Sequence, residues 1–211
     1  ADVCNCEYTK HGHCGTLVNN DVDNDTTLKT LSSQSLVLAK SGADALAPSD
    51  MMDGRVKAIR EILDDNNFEK TPIFPYSVKY SSAFYGPFRE AAKSSPTFGD
   101  RKTYQMNFKN SEEAINEVQL DINEGADVII IKPALSYLDI IFKIKKRFNI
   151  PVIAYNVSGE YSMVKSASEN NYISEMETIL EILYSIKRSG ANAIISYHAL
   201  DVAKFLNHNE V

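Results

Sequence analysis

The chain has 211 residues, of which 44% are hydrophobic and 24% are charged, a composition typical of one globular domain. Its formal net charge of −6 argues against a nucleic-acid partner, and no apolar run is long enough to span a membrane. No signal peptide is recognisable, so we expect a cytoplasmic protein that has no membrane partner. The sequence begins without methionine, at what we interpret as the end of a strand, and this predicts a fragment or a processed chain.

The first polar loop, residues 2–15, contains all three cysteines of the chain, Cys4, Cys6 and Cys14. An odd, clustered set of cysteines is typical of metal ligation in a reducing compartment rather than of a disulfide framework. Three thiolates can bind a tetrahedral zinc ion and leave its fourth position to water or substrate. His11 or His13 could instead complete a closed structural site, or only orient the loop, so both alternatives stay open.

Helix ends are indicated by a Gly-Ala pair followed by Asp or Asn, which occurs in residues 41–45, 124–128 and 189–193. Each glycine follows apolar residues at helical spacing and precedes an apolar strand, so it predicts a left-handed C-terminal cap. Two capping boxes, which begin at Ser136 and Ser174, predict two further helix starts.

The predicted strands end near six residues, which are Val3, Pro48, Lys79, Lys132, Val157 and Tyr197. Helical segments lie between these strands, and this alternation predicts an α/β fold with a parallel sheet. A doubly wound sheet is one alternative, but no glycine-rich phosphate loop follows any strand, and polar residues gather after every one. We therefore predict a (β/α)8 TIM barrel, with residues 1–211 forming a single catalytic domain that covers about the last six strands.

Two of these strands end in a lysine. Residues 127–132 place Lys132 after four branched aliphatic residues, a composition typical of a strand that is buried on both faces. A lysine there is costly unless its ammonium reaches a polar cleft or loses its proton, and a partly desolvated lysine suits Schiff-base chemistry. Lys132 could also extend to solvent, but Lys79, at the end of the apolar segment 72–79, favours the chemical interpretation.

Polar side chains follow each predicted strand. The candidates among them are Ser49, Asp50, Arg89, Arg101, Ser158 and Tyr197. The long loop after Lys79 has the composition of an active-site lid, and its two arginines suit a substrate carboxylate, although both could be surface charges. Each of the other candidates could equally be a helix cap or an ordinary polar residue at a strand end.

Residues 125–137, which read Gly-x-Asp-x-Ile-Ile-Ile-Lys-Pro-Ala-x-x-Tyr, resemble the signature of the porphobilinogen synthase family, also called δ-aminolevulinic acid dehydratase. The cysteine loop, residues 47–54, 79–89 and 158–161, and the strand that ends at Tyr197 follow that family in the same order. The resemblance covers essentially the whole chain. It implies a barrel lyase of porphyrin and haem biosynthesis that condenses two 5-aminolevulinate molecules into porphobilinogen with loss of two waters.

The resemblance also implies a role for individual residues. It implies that Lys132 forms a Schiff base with the substrate that supplies the propionate side, and Lys79 with the substrate that supplies the acetate side. The carboxylate-binding residues that it implies are Ser158 and Tyr197 for one substrate, and Arg89, Arg101 and Gln105 for the other. The further substrate-binding residues that it implies are Asp2, Ser49, Asp50 and Phe88.

The same resemblance also implies two metal ions and an oligomeric state. It implies a catalytic zinc on Cys4, Cys6 and Cys14, and an allosteric magnesium on Glu117, which could otherwise be a solvated helix carboxylate. Family members assemble as homo-octamers through an N-terminal arm. That arm and the first two barrel strands are missing from this sequence, so we expect an octamer only of the full-length protein.

Two other functions stay compatible with the sequence. A Schiff-base barrel lyase of the class I aldolase type would need one lysine and usually a phosphate site, and it would leave the cysteine loop without a role. A non-catalytic zinc-binding fragment is the second alternative, since a barrel that lacks two strands exposes backbone groups and apolar surface.

Overall fold

The structure is a computed structural model that describes residues 1–209, and these residues divide into two compact units. The first unit comprises residues 1–81 and 89–130, and the second comprises residues 82–88 and the described chain from residue 131 onwards. Glu210 and Val211 lie outside the described residues. The single domain over residues 1–211 therefore stays a prediction.

Helices and short strands alternate along most of the chain. The elements are β1 (Asp2–Val3), β2 (Leu17–Val18), β3 (Asp21–Val22), α1 (Asn24–Lys40), β4 (Ala47–Pro48), α2 (Arg55–Asp64), β5 (Val78–Lys79), α3 (Gly86–Ala91), α4 (Glu113–Asn123), β6 (Ile129–Lys132), α5 (Leu138–Arg147), β7 (Val152–Asn156), α6 (Ser158–Glu169), α7 (Glu175–Arg188), β8 (Ala193–Ser196) and α8 (Ala199–Asn209). Two 3-10 turns cover Ala83–Tyr85 and Leu135–Tyr137. No helix of the described residues is long and apolar enough to cross a membrane.

In the first unit, β1 pairs in parallel with β4, with Asp2 opposite Ala47. Strands β2 and β3 form an antiparallel hairpin, which the sequence pattern does not predict. The buried core of this unit is formed by Val3, Leu31, Ala39, Leu46, Met52, Val56, Ile59, Leu63 and Ile73. Fully burying one such leucine or isoleucine contributes about 1.5–3 kcal/mol, so this core holds the strand ends in place.

In the second unit, β7 pairs in parallel with β8, with Ile153 opposite Ala193 and Asn156 opposite Ser196. Its buried apolar residues include Ile131, Ile140, Ile141, Ile144, Val152, Ala154, Val164, Ile179 and Ile186. Strand β8 alternates between exposed and half-buried residues, whereas Val152 and Ala154 of β7 are fully buried. The paired strands bring Ser158 and Tyr197, which follow β7 and β8, to the same end of this unit.

Most local predictions are confirmed. The three glycines after the helices, Gly42, Gly125 and Gly190, have φ values of 93°, 106° and 118°, which lie in the left-handed region. Four predicted strand ends are observed, and β7 and β8 end one residue earlier than predicted, at Asn156 and Ser196.

The two predicted capping boxes have different outcomes. Ser174 is the N-cap of α7, although its side chain makes no capping hydrogen bond. The prediction that Ser136 begins a helix is wrong, because residues 135–137 form a 3-10 turn and α5 begins at Leu138. The N–H of Leu135 donates to Oε1 of Glu160 at 2.8 Å, and this tertiary hydrogen bond fixes the turn before the helix.

Candidate active site

Among residues 1–209, one group of three side chains is arranged to hold a metal ion, and it consists of Cys4, Cys6 and Cys14. Their sulfur atoms lie within 4.8 Å of one another, and the thiol of Cys4 donates to Sγ of Cys6 at 3.3 Å. All three side chains are buried and none forms a disulfide. Two sulfurs bound to one tetrahedral zinc at about 2.3 Å are about 3.8 Å apart, so this donor set fits zinc.

The electrostatic surroundings of the three thiols favour one thiolate, at Cys14. Hydrogen bonds from Cys4 and Cys6 hold the pKa of Cys14 well below its usual value, and the charges of Lys79 and Arg101 act in the same direction. The hydrogen bond to Cys14 raises the pKa of Cys6 to about 11 and raises the pKa of Cys4 as well. A thiolate, rather than a thiol, is the metal ligand, so Cys14 is the sulfur best prepared to bind.

Both histidines of the loop have other partners. The ring of His13 contacts the Tyr104 hydroxyl through Nδ1 at 3.1 Å and the carbonyl of Phe98 through Nε2 at 3.0 Å. His11 accepts a hydrogen bond at Nδ1 from the backbone N–H of His13 at 3.1 Å. In this arrangement His13 braces the loop against Tyr104, whose hydroxyl also accepts from the N–H of Cys14 at 3.3 Å.

The loop is also held by a close backbone approach and by an arginine. A Cβ atom at Gly12, whose φ is 70°, would lie 2.5 Å from the carbonyl oxygen of Ser95, so only glycine fits there. The guanidinium of Arg101 donates to the carbonyl oxygens of Gly12 at 2.7 Å and Ser94 at 2.5 Å. This buried arginine is therefore partly occupied with the loop rather than free for a ligand.

Lys79 is buried at the end of β5, with 5% of its surface exposed. Its ammonium donates to the backbone carbonyl of Ser49, and it lies 5.6 Å from the centroid of the Tyr76 ring. The hydroxyl of Ser49 donates in turn to Oδ2 of Asp2 at 3.2 Å. The first unit thus brings together Asp2, Ser49 and Lys79, three of the predicted site residues.

Asp50, the next residue, is fully buried and faces an arginine that the sequence did not single out. Its Oδ2 lies 3.8 Å from Nε of Arg55, and the same guanidinium is 3.3 Å from Oδ2 of Asp121. Burial raises the pKa of Asp50 to about 6, against the opposing effect of Arg55. The aspartate therefore sits in a buried ion cluster that anchors the start of α2.

Gln105 presents a buried carboxamide. Only 3% of its surface is exposed, and neither its Nε2 nor its Oε1 has a hydrogen-bond partner within the part of the chain that the structure describes. It lines a cavity of about 240 Å³ together with Ser81, Lys102, Asn107, Phe108 and Lys109. An unsatisfied buried amide is costly and is relieved by a polar ligand. Arg89, which was predicted to bind the same substrate carboxylate as Gln105, is half-buried.

Glu117 lines a second cavity of the first unit, of about 340 Å³. The other residues around this cavity with a carboxylate or a carboxamide are Asp21, Asn24, Asp53 and Glu113. Burial, followed by the charge of Asp121, raises the pKa of Glu117 to about 7. Hard divalent cations prefer oxygen donors, but these carboxylates do not form a group of three close enough to share one ion among residues 1–209, so the magnesium on Glu117 stays a prediction.

In the second unit, Lys132 lies among aromatic rings. Its ammonium is 4.4 Å from the centroid of Tyr155, 5.2 Å from that of Tyr85 and 5.6 Å from that of Phe88. The Tyr85 hydroxyl donates to the carbonyl of Lys132 at 3.2 Å. Aromatic faces stabilise a cation and also exclude water, so the rings suit both the charged lysine and an iminium formed on it.

Ser158 and Tyr197 differ in their exposure. Ser158 is buried, and its hydroxyl accepts from the N–H of Phe88 at 3.1 Å and donates to the carbonyl of Phe84 at 3.4 Å. A Cβ at Gly159 would lie 2.5 Å from that same carbonyl oxygen, so glycine permits this approach. Tyr197 is 44% exposed, and its ring centroid is 5.6 Å from that of Tyr161.

Sequence reasoning missed several residues that shape these sites. They are Arg55, Tyr104 and Asp121 in the first unit, and Tyr155, Glu160 and His198 in the second. Glu160 could have been noticed, because it stands three residues after Val157, where an N3 glutamate is expected at a helix start. Tyr104, Asp121 and Tyr155 have no local signal, since the partners named for them, Cys14, Arg55 and Lys132, are distant in the sequence.

Comparison with known proteins gives a consistent picture. The family model described as "Delta-aminolevulinic acid dehydratase" matches residues 1–205. Enzymes of that name from Synechocystis sp. and Bacillus subtilis are each 57% identical to the chain, over 97% and 98% of its length. The chain spans only 64% of the length of each of these relatives.

A solved structure matches as well. The delta-aminolevulinic acid dehydratase of Toxoplasma gondii ME49, in complex with the reaction product porphobilinogen, is 48% identical, with a TM-score of 0.96. The match covers 97% of this chain and 59% of that one. This likeness confirms the predicted α/β fold of the TIM-barrel class.

Proposed function

Because the chain belongs to the delta-aminolevulinic acid dehydratase family, we propose that the full-length protein is a porphobilinogen synthase, a lyase of tetrapyrrole and haem biosynthesis. It condenses two 5-aminolevulinate molecules into one porphobilinogen and releases two waters. The names of the bacterial relatives and the product bound to the Toxoplasma relative support this reaction. The single observation that carries this proposal is the buried group of three thiols. The charge of Lys79, at the end of β5, helps to lower the pKa of one of them, Cys14.

Lys132 is the proposed nucleophile toward the substrate that supplies the propionate side. Its neutral amine attacks the ketone carbon, the ketone oxygen leaves as water, and the resulting iminium carbon is the electrophile to which the deprotonated carbon of the other substrate adds in carbon–carbon bond formation. The rings of Tyr85, Phe88 and Tyr155 support this role, because they accommodate the cation and keep water away from the iminium.

Lys79 is proposed to form the second Schiff base, with the substrate that supplies the acetate side. Each Schiff base expels one ketone oxygen, which accounts for the two waters of the overall reaction. Tethering both substrates turns a bimolecular condensation into a nearly intramolecular one, an effect worth up to about 7–11 kcal/mol for well-oriented groups. The burial of Lys79 and its hydrogen bond to the carbonyl of Ser49 support a lysine held in one direction.

Cys4, Cys6 and Cys14 would hold the zinc ion, and Asp2, Ser49 and Asp50 would line the substrate site near Lys79. When bound, zinc supplies a Lewis acid for a substrate carbonyl or amine. The residues of the chain prepare the site, since Lys79 and Arg101 stabilise the Cys14 thiolate and Arg101 also fixes the loop. We propose Glu117 as the ligand of an allosteric magnesium, supported by its oxygen-lined cavity.

The substrate carboxylates have two proposed sets of partners. Ser158 and Tyr197 serve the carboxylate of the substrate on Lys132, and Arg89, Arg101 and Gln105 serve the other. Phe88 lines the substrate site beside Lys132. The unsatisfied carboxamide of Gln105 supports the second set most strongly. Nη2 of Arg101 donates to the carbonyls of Gly12 and Ser94, so the proposed carboxylate contacts use the other N–H groups of the guanidinium. We further propose a cytoplasmic homo-octamer in which residues 1–211 form one catalytic barrel domain.

Borohydride trapping tests the proposed function. The full-length protein should form porphobilinogen from 5-aminolevulinate, and reduction during turnover should label Lys132 and Lys79 in peptide maps. Lys132→Ala should abolish turnover and Lys79→Ala should reduce it by orders of magnitude, whereas Lys146→Ala, on the exposed face of α5, should leave it unchanged. An adduct found only on other lysines, such as Lys143 or Lys145, would contradict the assignment.

A further inference from the structure

Glu160 is a buried carboxylate that the proposed reaction does not use. It is the third residue of α6, and 1% of its surface is exposed. Its Oε2 accepts from the N–H of Val157 at 2.7 Å and from Nδ2 of Asn156 at 3.1 Å. Its Oε1 accepts from the N–H of Leu135 at 2.8 Å, and the N–H of Ala134 donates to the same carboxylate.

The hydrogen bonds continue from Glu160 to the end of β8. Oδ1 of Asn156 accepts from the hydroxyl of Ser196 at 2.9 Å, and the oxygen of Ser196 accepts from the N–H of His198 at 3.1 Å. One connected network therefore links the segment after β6, the end of β7 and the end of β8.

Each segment that the network reaches carries a proposed site residue. Ala134 follows Lys132 by two positions, Ser158 comes directly after Val157, and Tyr197 lies between Ser196 and His198. Most of the donors are backbone N–H groups, so the network fixes the course of the main chain rather than one side chain. Hydrogen bonds to an ionised carboxylate are roughly twice as strong as neutral ones.

An ordinary helix cap does not account for this arrangement. Capping of α6 would require only the bond from Glu160 to the N–H of Val157. The bonds to Ala134 and Leu135 come from a segment 25 residues away or more, and the bond from Asn156 points toward β8. Burial of a carboxylate is costly unless such donors satisfy it, so the network has to be complete to be stable.

We propose that Glu160 is a positioning residue which, through Asn156 and Ser196, holds the main-chain segments that carry Lys132, Ser158 and Tyr197. This inference rests on the proposed function for its catalytic meaning. A displacement of about 1 Å of a reacting group can cost about 100-fold in rate, so a rigid support behind the lysine matters for the Schiff-base step.

Glu160→Gln in the full-length protein is the first test. The glutamine keeps the volume of the glutamate. Its NH2 group, however, faces N–H groups that previously donated to the carboxylate, so some of these hydrogen bonds are lost. We expect kcat and the rate of borohydride-trapped adduct at Lys132 to fall about 10- to 100-fold, with zinc content unchanged. Hydrogen exchange of the Leu135 and Val157 amides should accelerate. Glu175→Gln, whose carboxylate pairs with Lys165 near the surface, is the matched control and should change none of these.

Ser196→Ala is the second test, and it removes only the far end of the network. Because Tyr197 is proposed to bind a substrate carboxylate, this variant should raise KM for 5-aminolevulinate about 10-fold, about 1.4 kcal/mol, with kcat nearly unchanged. This variant also tests the positioning role of the network if Glu160→Gln fails to fold.

Three results would overturn the inference. They are a folded Glu160→Gln protein with wild-type adduct formation, unchanged amide exchange in that variant, and an unchanged KM in Ser196→Ala. If the wild-type protein forms neither product nor adduct, the proposed function fails, while amide exchange still shows whether Glu160 holds these segments.

Discussion

Lys79 and Lys132 both end strands, but the protein accommodates the two ammonium groups differently. Lys79 is buried and has a carbonyl partner, so its direction is fixed by a hydrogen bond. Lys132 is half-buried among the faces of three rings, each of which attracts a cation by about 0.5–2 kcal/mol. The first unit therefore holds its lysine through a backbone carbonyl, and the second surrounds its lysine with aromatic faces.

Asp50 makes a residue-scale prediction about pH. Burial raises its pKa from 3.8 to about 6, so the folded protein holds the proton more tightly than the unfolded chain does. For a raised pKa, the stabilising contribution is complete below about pH 4 and is lost as the pH rises through about 6. The loss is on the order of 3 kcal/mol, because each pH unit of difference corresponds to about 1.4 kcal/mol.

Asp50→Asn should therefore remove this part of the pH dependence. Denaturant unfolding between pH 4 and pH 7.5 should show a wild-type free energy that declines relative to the variant as the pH rises. Asp44→Asn, which replaces an exposed aspartate just before β4, is the control and should keep the wild-type slope. Parallel curves for wild type and Asp50→Asn would show that Asp50 ionises normally in the folded state.

At the scale of elements, the cysteine loop is held by contacts that do not involve the three sulfurs. His13, Tyr104 and Arg101 fix its backbone, and Gly12 allows it to approach Ser95. A loop supported in this way can keep its shape while a metal exchanges. This favours an open, catalytic site over a closed structural one, for which metal loss would unfold the loop.

Metal removal tests this prediction. A strong chelator should remove zinc and activity together from the full-length protein, and added zinc should restore both, because thiolate ligation is reversible. Cys14→Ser should abolish zinc binding, whereas His13→Gln should retain it. X-ray absorption should report three sulfurs at about 2.3 Å and one light atom that exchanges. A bound imidazole, with turnover unchanged after zinc removal, would contradict the catalytic interpretation.

Helix α4 carries the predicted magnesium ligand. If Glu117 binds magnesium, magnesium should raise the activity of the full-length enzyme several-fold, and Glu117→Gln should abolish that response without changing zinc content. Glu124→Gln, at the C-terminal end of the same helix and outside the cavity, should respond like the wild type. An enzyme that magnesium does not activate would end this hypothesis.

At the scale of the whole molecule, α8 carries three exposed apolar residues. Leu200, Phe205 and Leu206 are 66%, 37% and 40% exposed. Single exposed apolar residues are common on proteins, but several on one helix favour association. We therefore expect residues 1–211 alone to self-associate at micromolar concentration.

Sedimentation velocity measures this association. Leu200→Glu together with Phe205→Glu should shift the chain toward the monomer, because the charges oppose burial of the helix. Leu120→Glu changes a comparably exposed leucine on α4 and should have little effect. A monodisperse wild-type chain, or equal effects of both variants, would show that α8 is not the associating surface.

The sequence by itself determined the alternation of strands and helices, the glycine caps, the strand-end lysines and the clustered cysteines. These features depend on residues within a few positions of one another, so periodicity and cap chemistry reveal them. Only the tertiary structure decided the side-chain partners. His13 meets Tyr104 across 91 residues, Arg101 meets Gly12 across 89, and Leu135 meets Glu160 across 25. Such partners satisfy buried polar groups that the fold brings together, and no local pattern encodes which groups those will be.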